Sequence, residues 1–138
     1  MISFTVYGEP TAQGRPRAST QNGHVRMYDP DKSRDYKDYV RLAAREFAPD
    51  SLLESALGIY VIVYRSMPKK YSNSKVKSQQ AEAGLILPTT KPDADNYLKG
   101  IKDALNSVIW KDDSQIVDAS VSKRYSLKPR VEIQVWEI

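Results

Sequence analysis

The chain has 138 residues, of which 41% are hydrophobic and 28% charged, and its net charge is +4. These values are typical of an ordinary globular protein, so we expect residues 1–138 to form a single domain. The absence of cysteine excludes disulfides, zinc sites built from thiolates and a thiol nucleophile. No apolar run is long enough to span a membrane, and residues 1–7 do not resemble a signal peptide, so we expect the protein in the cytoplasm.

The first third of the chain predicts a strand, a long loop and a helix. Residues 2–7 alternate between apolar and polar side chains, as a strand does. Residues 8–28 are rich in Gly, Pro, Arg and Ser, and they predict a long loop or a ragged hairpin around Asn22-Gly23. Apolar residues then recur at helical spacing over residues 36–47, which predicts an amphipathic helix that faces a core.

The middle of the chain predicts a buried strand followed by a basic segment. Residues 57–64 form a continuous run of apolar, β-branched and aromatic residues, which is typical of a central strand. Residues 68–84 are polar and basic, with at most a short helix over residues 72–83. Because the apolar face of that helix is too poor for a core, we expect an exposed insert here.

The last third predicts a second helix and two further strands. Asp95 is positioned to cap a helix whose apolar residues recur between Leu98 and Val108. Residues 116–125 alternate as a strand does, and residues 131–138 close the chain as a last strand. The order strand, helix, strand, insert, helix, strand, strand predicts an α+β fold, with a mixed or antiparallel sheet of about four strands and two main helices on one face.

Basic residues collect in three runs that contain no acidic residue. The runs lie within residues 10–28, 65–77 and 123–130, whereas acidic residues gather between Asp93 and Asp118. Basic stretches around an acidic island are what a phosphate-binding surface with a metal site needs. Solvated surface charge is an equally good explanation of any single run.

The acidic island contains two close pairs, Asp93 with Asp95 and Asp112 with Asp113. In an extended segment residues i and i+2 point the same way, so Asp93 and Asp95 would project together from the start of the second helix. If the chain returns beside them after that helix, a third carboxylate joins the pair. A hard cation such as Mg²⁺ or Mn²⁺ removes the repulsion between such carboxylates and can activate water at a phosphodiester. The structural alternative is that these residues cap helices and make turns.

Lys99 lies one helical turn after Asp95 and therefore shares its face of the second helix. An ammonium group at that position could neutralise charge that develops on phosphate oxygens. It could also form a simple ion pair with Asp103, four residues further along the helix.

The segment from Lys91 to Asp118 resembles the RusA family of Holliday junction resolvases, which are common in prophages and bacteria. The resemblance joins the opening Pro92-Asp-Ala-Asp-Asn, a helix that carries Lys99 and then Asp103-Ala-Leu-Asn, and the turn Trp110-Lys-Asp-Asp-Ser-Gln-Ile-Val. The elements Gly14-Arg-Pro-Arg and Arg34-Asp-Tyr also look like the N-terminal half of phage members. Residues 69–87 carry no such resemblance.

The resemblance implies a Mg²⁺-dependent endodeoxyribonuclease that acts as a homodimer and resolves four-way junctions by paired symmetric nicks in DNA recombination and repair, with Mn²⁺ as a possible substitute. Asp93, Asp95 and Asp113 match the metal-binding carboxylates of the family, and Lys99 matches its catalytic lysine. The basic runs would hold the arms of the DNA. The residues that we expect to bind DNA are Arg15, Arg17, Lys69 and Lys70.

Two other interpretations stay open. The chain could be a non-catalytic or less selective branched-DNA-binding protein on the same fold, which we would expect to have lost part of its acid set. It could also be a metal-dependent enzyme that acts on nucleotides or small phosphoesters. Such an enzyme is expected to carry a Gly-rich phosphate loop at the start of a helix, and the sequence contains none.

Overall fold

The computed structural model describes residues 1–14, 17–21, 23–28 and 31–138, with only the backbone described for 17–21 and 24–28. Its strands are β1 (Ile2–Tyr7), β2 (Arg17–Gln21), β3 (His24–Tyr28), β4 (Leu57–Ser66), β5 (Ile116–Ser126) and β6 (Arg130–Glu137). Its helices are α1 (Asp31–Arg45), α2 (Lys69–Ser72), α3 (Lys75–Glu82) and α4 (Ala94–Leu105), and a short 3₁₀ turn covers Asp113–Gln115. Within these residues, no helix is long and apolar enough to cross a membrane.

The main sheet contains four strands in the order β1-β6-β4-β5. Strands β1 and β4 are both antiparallel to β6, whereas β4 and β5 run parallel, with Leu57 opposite Ile116 and Ser66 opposite Ser126. The parallel pair is possible because α4 lies between β4 and β5 in the chain and carries the backbone back to the start of the sheet. The prediction of a mixed sheet of about four strands is confirmed.

The two long helices, α1 and α4, share one hydrophobic core with one face of the sheet. Val40 of α1 and Leu105 of α4 are fully buried in the same cluster as Val61 of β4 and Ile133 of β6. Each aliphatic side chain buried in this way contributes about 1.5–3 kcal/mol relative to exposure. The α+β fold with two main helices on one face is therefore confirmed.

The apolar stripe predicted over residues 36–47 is buried only in part. Helix α1 ends at Arg45, so Phe47 lies beyond it and stacks on Phe4, with ring centroids 5.2 Å apart. Tyr39 is 47% exposed, and its hydroxyl donates a hydrogen bond to the carbonyl oxygen of Tyr7 at 2.8 Å. Helical spacing therefore located the helix correctly but overestimated the buried width of its face.

The insert between β4 and α4 forms the helices α2 and α3, and it is anchored to β5. Most of its side chains are exposed, as expected, but Ala81 is fully buried and the ring of Tyr71 meets that of Tyr125 at 5.8 Å. The carboxylate of Glu82 accepts hydrogen bonds from the hydroxyl of Ser126 and the backbone amide of Leu127. Single residues anchor the insert, and no apolar stripe is involved. The periodicity of the sequence therefore did not predict the contact with β5.

For residues 8–28 the sequence predicts a long loop or a ragged hairpin, and the structure shows the hairpin, as the antiparallel pair β2-β3. Gln21 pairs with His24, and Gly23 in the turn has a φ of 77°. Positive φ values are what a tight two-residue hairpin turn requires, and glycine adopts them without steric cost.

Candidate active site

Asp93 and Asp95 lie together at the N-terminal end of α4. The helix begins at Ala94, so the N-cap residue is Asp93 and not Asp95, which lies in the first turn. Asp93 has an extended backbone conformation, with φ −69° and ψ 151°. Both aspartates lie at the start of this helix, as expected, but Asp95 belongs to the first helical turn and not to an extended segment with Asp93. The prediction that Asp95 is the cap is wrong.

The carboxylate of Asp93 does not cap the helix. An aspartate at an N-cap normally accepts a hydrogen bond from an amide in the first turn, and Asp93 makes no such bond. Both Asp93 and Asp95 are exposed, and among the described residues neither carboxylate has a hydrogen bond or an ion pair. The positive end of the helix dipole favours two negative charges at this position. The pair is therefore available to an external cation.

Lys99 follows Asp95 by one helical turn and is exposed. In the described part of the chain it has no ion pair, and Asp103 lies opposite Lys37 of α1 instead, with their charged atoms 3.9 Å apart. The alternative explanation of Lys99 as the partner of Asp103 is therefore wrong. Its ammonium group is available to a phosphate held beside Asp95.

Two basic side chains from the sheet hold the backbone that leads into Asp93. The ammonium nitrogen of Lys123 donates hydrogen bonds to the carbonyl oxygens of Thr90 and Pro92, at 2.9 and 3.0 Å. The guanidinium of Arg65 donates to the same Thr90 oxygen at 3.1 Å. Neither residue was singled out from the sequence as part of a site, because their contacts join positions that are 25 to 33 residues apart.

A cleft of about 410 Å³ opens beside the first turn of α4. Its wall includes the segment before β2, where the amide of Gln13 donates to the carbonyl oxygen of Asn96 at 3.1 Å. Burial raises the pKa of the Tyr97 hydroxyl, with Arg65 opposing the rise and Glu9 adding to it, so Tyr97 is neutral at physiological pH. The polar side chains that line the cleft belong to Glu9, Thr11, Gln13, Lys32, Arg65, Asn96 and Tyr97.

Asp113 lies at the opposite end of α4. The helix has 12 residues, which at 1.5 Å per residue separate its ends by about 18 Å. Asp113 precedes β5, whereas Lys123, which contacts the residue before Asp93, lies far along that strand. The expected convergence of three carboxylates does not occur within one copy of the chain. In its described part, no group of three or more Asp, Glu, His or Cys residues is placed to hold a metal ion.

The carboxylate of Asp113 has a structural partner. Its Oδ1 atom accepts a 2.8 Å hydrogen bond from the indole nitrogen of Trp110, which is fully buried. An indole N–H without a partner would be costly in a core, so Asp113 satisfies a donor that the fold requires.

Asp112 and Gln115 form a capping box around the 3₁₀ turn. Ser114 donates its amide to Asp112 at 3.0 Å, and hydrogen bonding by Ser114 lowers the pKa of the Asp112 carboxyl. Gln115 accepts from the Asp112 amide at 2.8 Å and donates to the carbonyl oxygens of Leu53 and Ser55. We did not single out Gln115 from the sequence, although the spacing Asp-x-x-Gln is a signature of this motif.

Two of the four predicted DNA-binding residues lie at the same end of the molecule as Asp93. Lys69 and Lys70 are exposed in α2, which begins three residues after β4, the strand that carries Arg65 towards Thr90. Arg15 lies outside the described residues. Arg17 begins β2, and only its backbone is described.

This geometry, with exposed carboxylates beside a lysine and basic residues around them, suits a hydrolase of phosphodiesters. The model of the family described as "Endodeoxyribonuclease RusA" matches residues 7–136, nearly the whole chain. The chain belongs to this family and is an endodeoxyribonuclease. It is also similar to the "Uncharacterized protein YqaN" of Bacillus subtilis (strain 168), with 58% identity over 137 residues, which cover 99% of this chain and 96% of that protein.

Proposed function

We propose that this endonuclease resolves four-way DNA junctions in recombination and repair, with a divalent metal ion held at the N-terminal end of α4. The observation that carries the proposal is the pair Asp93 and Asp95, whose exposed carboxylates neither cap the helix nor pair with a cation among the described residues. Nucleases of the RusA family act on branched DNA and depend in general on a metal. Oxygen ligands favour a hard ion, so we propose Mg²⁺, with Mn²⁺ as a substitute.

The residues of the chain take separate roles in this proposal. Asp93 and Asp95 would hold the ion, which supplies an acidified water and neutralises charge on the phosphate. Lys99 would bind a non-bridging oxygen of the scissile phosphate, because its ammonium lies one turn from Asp95 without a protein partner in the described part. Its charge then stabilises the extra negative charge that develops as water attacks phosphorus.

The DNA would approach this end of the molecule along its basic residues. Lys69 and Lys70 of α2 are exposed there, and the segment that leads to Arg15 and Arg17 is fastened to α4 through Gln13 and Asn96. Phosphate contacts of this kind fix the position of a duplex without reading its sequence. We accordingly expect affinity for junctions to fall steeply with salt concentration.

The proposed role of Asp113 as a metal ligand requires a second copy of the chain. Asp93 and Asp113 lie near opposite ends of α4, which are about 18 Å apart, so within a rigid protomer they cannot reach the same ion. We therefore include a homodimer in the proposal, in which Asp93 and Asp95 of one protomer meet Asp113 of the other. A twofold dimer would present two equivalent sites to the paired strands of a junction, which suits symmetric nicking.

A cleavage assay tests the proposal. Labelled synthetic four-way junctions and linear duplex of the same sequence are incubated with the protein in Mg²⁺, in Ca²⁺ and in EDTA. We expect paired nicks in the junction with Mg²⁺, binding without nicking in Ca²⁺, and little cutting of the duplex. Junction binding without nicking under any divalent ion would contradict the catalytic role and leave a branched-DNA-binding protein.

A subunit-mixing experiment tests the shared site. Asp95→Asn and Asp113→Asn protomers, which we expect to be inactive alone, are mixed and allowed to exchange. If the sites are shared between protomers, the mixed dimer contains one site with no substitution, so one nick per junction returns. If each protomer builds its own site, every site in the mixture carries a substitution, and no activity returns.

A further inference from the structure

We propose that Lys123 is a positioning residue, which fixes the direction of the Asp93 carboxylate by bridging the two backbone carbonyl groups that precede it. This inference rests on the proposed function, because it takes Asp93 to be a metal ligand. Nothing in the motif that marks the site includes Lys123, which lies 30 residues after Asp93 in the chain, on a different element.

The sheet aims Lys123 at the segment before α4. Lys123 lies opposite Val63 in the parallel pair of β4 and β5, and Val63 is fully buried against the helices. Paired residues on adjacent strands project from the same face of a sheet, so the side chain of Lys123 points towards the helical layer. It is half-buried there, with its nitrogen 2.9 Å from the Thr90 oxygen and 3.0 Å from the Pro92 oxygen.

The segment that Lys123 holds has few other hydrogen bonds. In the described structure, the carbonyl groups of residues 86–92 accept no hydrogen bond from a backbone amide. The bonds that they do accept come from Lys123 and Arg65. An ammonium group has three donors and carries a full charge, so its hydrogen bonds to carbonyl oxygens are stronger than those of a neutral donor.

The Pro92 carbonyl belongs to the same peptide group as the Asp93 amide. Fixing this oxygen fixes the plane of the peptide before Asp93. The carbonyl oxygen of Asp93 is held in turn by the amides of Asn96 and Tyr97, at 3.2 and 3.4 Å. With the peptides on both sides held, the direction in which the Cα–Cβ bond of Asp93 leaves the backbone is fixed. Asp93 itself has no capping hydrogen bond that would orient its side chain. A small ion with strict geometry such as Mg²⁺ is sensitive to the placement of each ligand. Groups that orient metal ligands typically change metal affinity by about 10–100-fold when they are removed.

The test compares Mn²⁺ affinity in a double-mutant cycle between Lys123 and Asp93, measured without DNA by the free Mn²⁺ signal in EPR titrations. Lys123→Met keeps the length of the side chain and removes its donors and its charge. We expect it to weaken Mn²⁺ binding by about tenfold or more, and Lys123→Arg to restore most of the affinity. In an Asp93→Asn background, we expect Lys123→Met to add less than about a twofold loss, because the ligand that it orients is already gone.

Arg45→Met is the matched control. It removes one positive charge from the exposed C-terminal end of α1, where Arg45 has no side-chain partner among the described residues, and it should leave Mn²⁺ affinity unchanged. Thermal unfolding of each variant shows whether it is folded. If Lys123→Met does not fold, Lys123→Gln, which keeps one donor group, takes its place, with an expected loss between those of Met and Arg.

Two results would overturn the inference. One is wild-type Mn²⁺ affinity in the folded Lys123→Met variant. The other is a loss of equal size with and without Asp93, since that would mean that Lys123 does not act through Asp93. A different result would contradict the proposed function: a wild-type protein that binds Mn²⁺ but does not nick junctions. The double-mutant cycle of Mn²⁺ affinities could still be measured in that case.

Discussion

The two aspartate pairs of the acidic island lie near the two ends of α4, and the fold uses them differently. At the C-terminal end, Asp112 closes a capping box and Asp113 accepts a hydrogen bond from a buried tryptophan. At the N-terminal end, Asp93 is in the N-cap position without making the capping bond, and Asp95 has no partner in the described part of the chain. The carboxylates at the C-terminal end of α4 therefore stabilise the fold, whereas those at the N-terminal end are available to bind a cation.

The N-terminal end of α4 also has stabilising hydrogen bonds. These hydrogen bonds reach the backbone and not the carboxylates, because Lys123 and Arg65 donate to the carbonyl oxygens of Thr90 and Pro92. Lys123 and Arg65 thus use their hydrogen bonds on carbonyl oxygens and not on the two carboxylates. This arrangement leaves the acidic side chains free of internal ion pairs and suits a site that awaits an external cation.

The largest effect is expected at the N-terminal end of α4. Asp93→Asn or Asp95→Asn should reduce junction nicking on the order of 10³-fold, because a metal ion contributes several kcal/mol to the transition state and each 1.36 kcal/mol is a factor of ten. Unfolding free energy should change by less than about 0.5 kcal/mol, since both side chains are exposed. Single-turnover nicking and thermal unfolding measure the two quantities. Asp50→Asn, exposed and remote from the motif, is the control and should match the wild type.

Lys99→Met should have the next largest effect. Losing a cation that stabilises charge on the phosphate should slow single-turnover nicking by about 10²-fold. Junction affinity in Ca²⁺ should stay within about a factor of two, since one exposed contact among many is removed. Lys102→Met, on the same helix, is the charge-matched control. Equal losses in the two variants would mean that the net charge of α4 matters and that Lys99 has no specific role.

Variants of Asp113 test whether this residue has a structural role only. Asp113→Ala leaves the indole N–H of Trp110 without its partner and should lower the unfolding free energy by about 1–3 kcal/mol. Asp113→Asn keeps an oxygen acceptor and should be nearly as stable as the wild type. Chemical denaturation of both variants gives the stabilities. If the stable Asn variant also nicks normally, Asp113 is purely structural and the shared metal site of the proposed dimer is wrong.

The smallest effect is expected in the insert. Lys69→Met and Lys70→Met should each weaken junction binding a few-fold at most and reduce the slope of log affinity against log salt by about one. Fluorescence anisotropy at several salt concentrations measures both. An unchanged slope in the double variant would remove α2 from the DNA-binding surface.

The sequence was informative where side chains act locally or repeat regularly. The apolar spacing of α1, α4 and β5 and the continuous apolar run of β4 located these elements, because each contributes to the core that α1, α4 and the sheet share. The motif around Asp93 indicated the family that the match over residues 7–136 shows. The separation of Asp113 from Asp93 could also have been predicted, since the length of α4 is visible in the apolar spacing.

Other features depend on contacts between distant parts of the chain. The parallel pairing of β4 with β5 decides that Lys123 and Arg65 project at the same end of the sheet, and no local pattern encodes a pairing partner. The docking of the insert depends on Glu82, whose role is clear only once Ser126 is placed beside it. The sequence placed Lys123 in a basic run expected to hold DNA, and nothing local indicated its contact with the backbone before α4.

The most direct test of the central claim is to locate the ion itself. Crystals of the protein are soaked in Mn²⁺, and anomalous scattering at the manganese edge shows where the metal binds. We expect a peak within coordination distance of the carboxylates of Asp93 and Asp95 that is absent from crystals of Asp95→Asn. A peak held by Asp112 and Asp113 alone, or an active enzyme whose metal binds elsewhere, would contradict it.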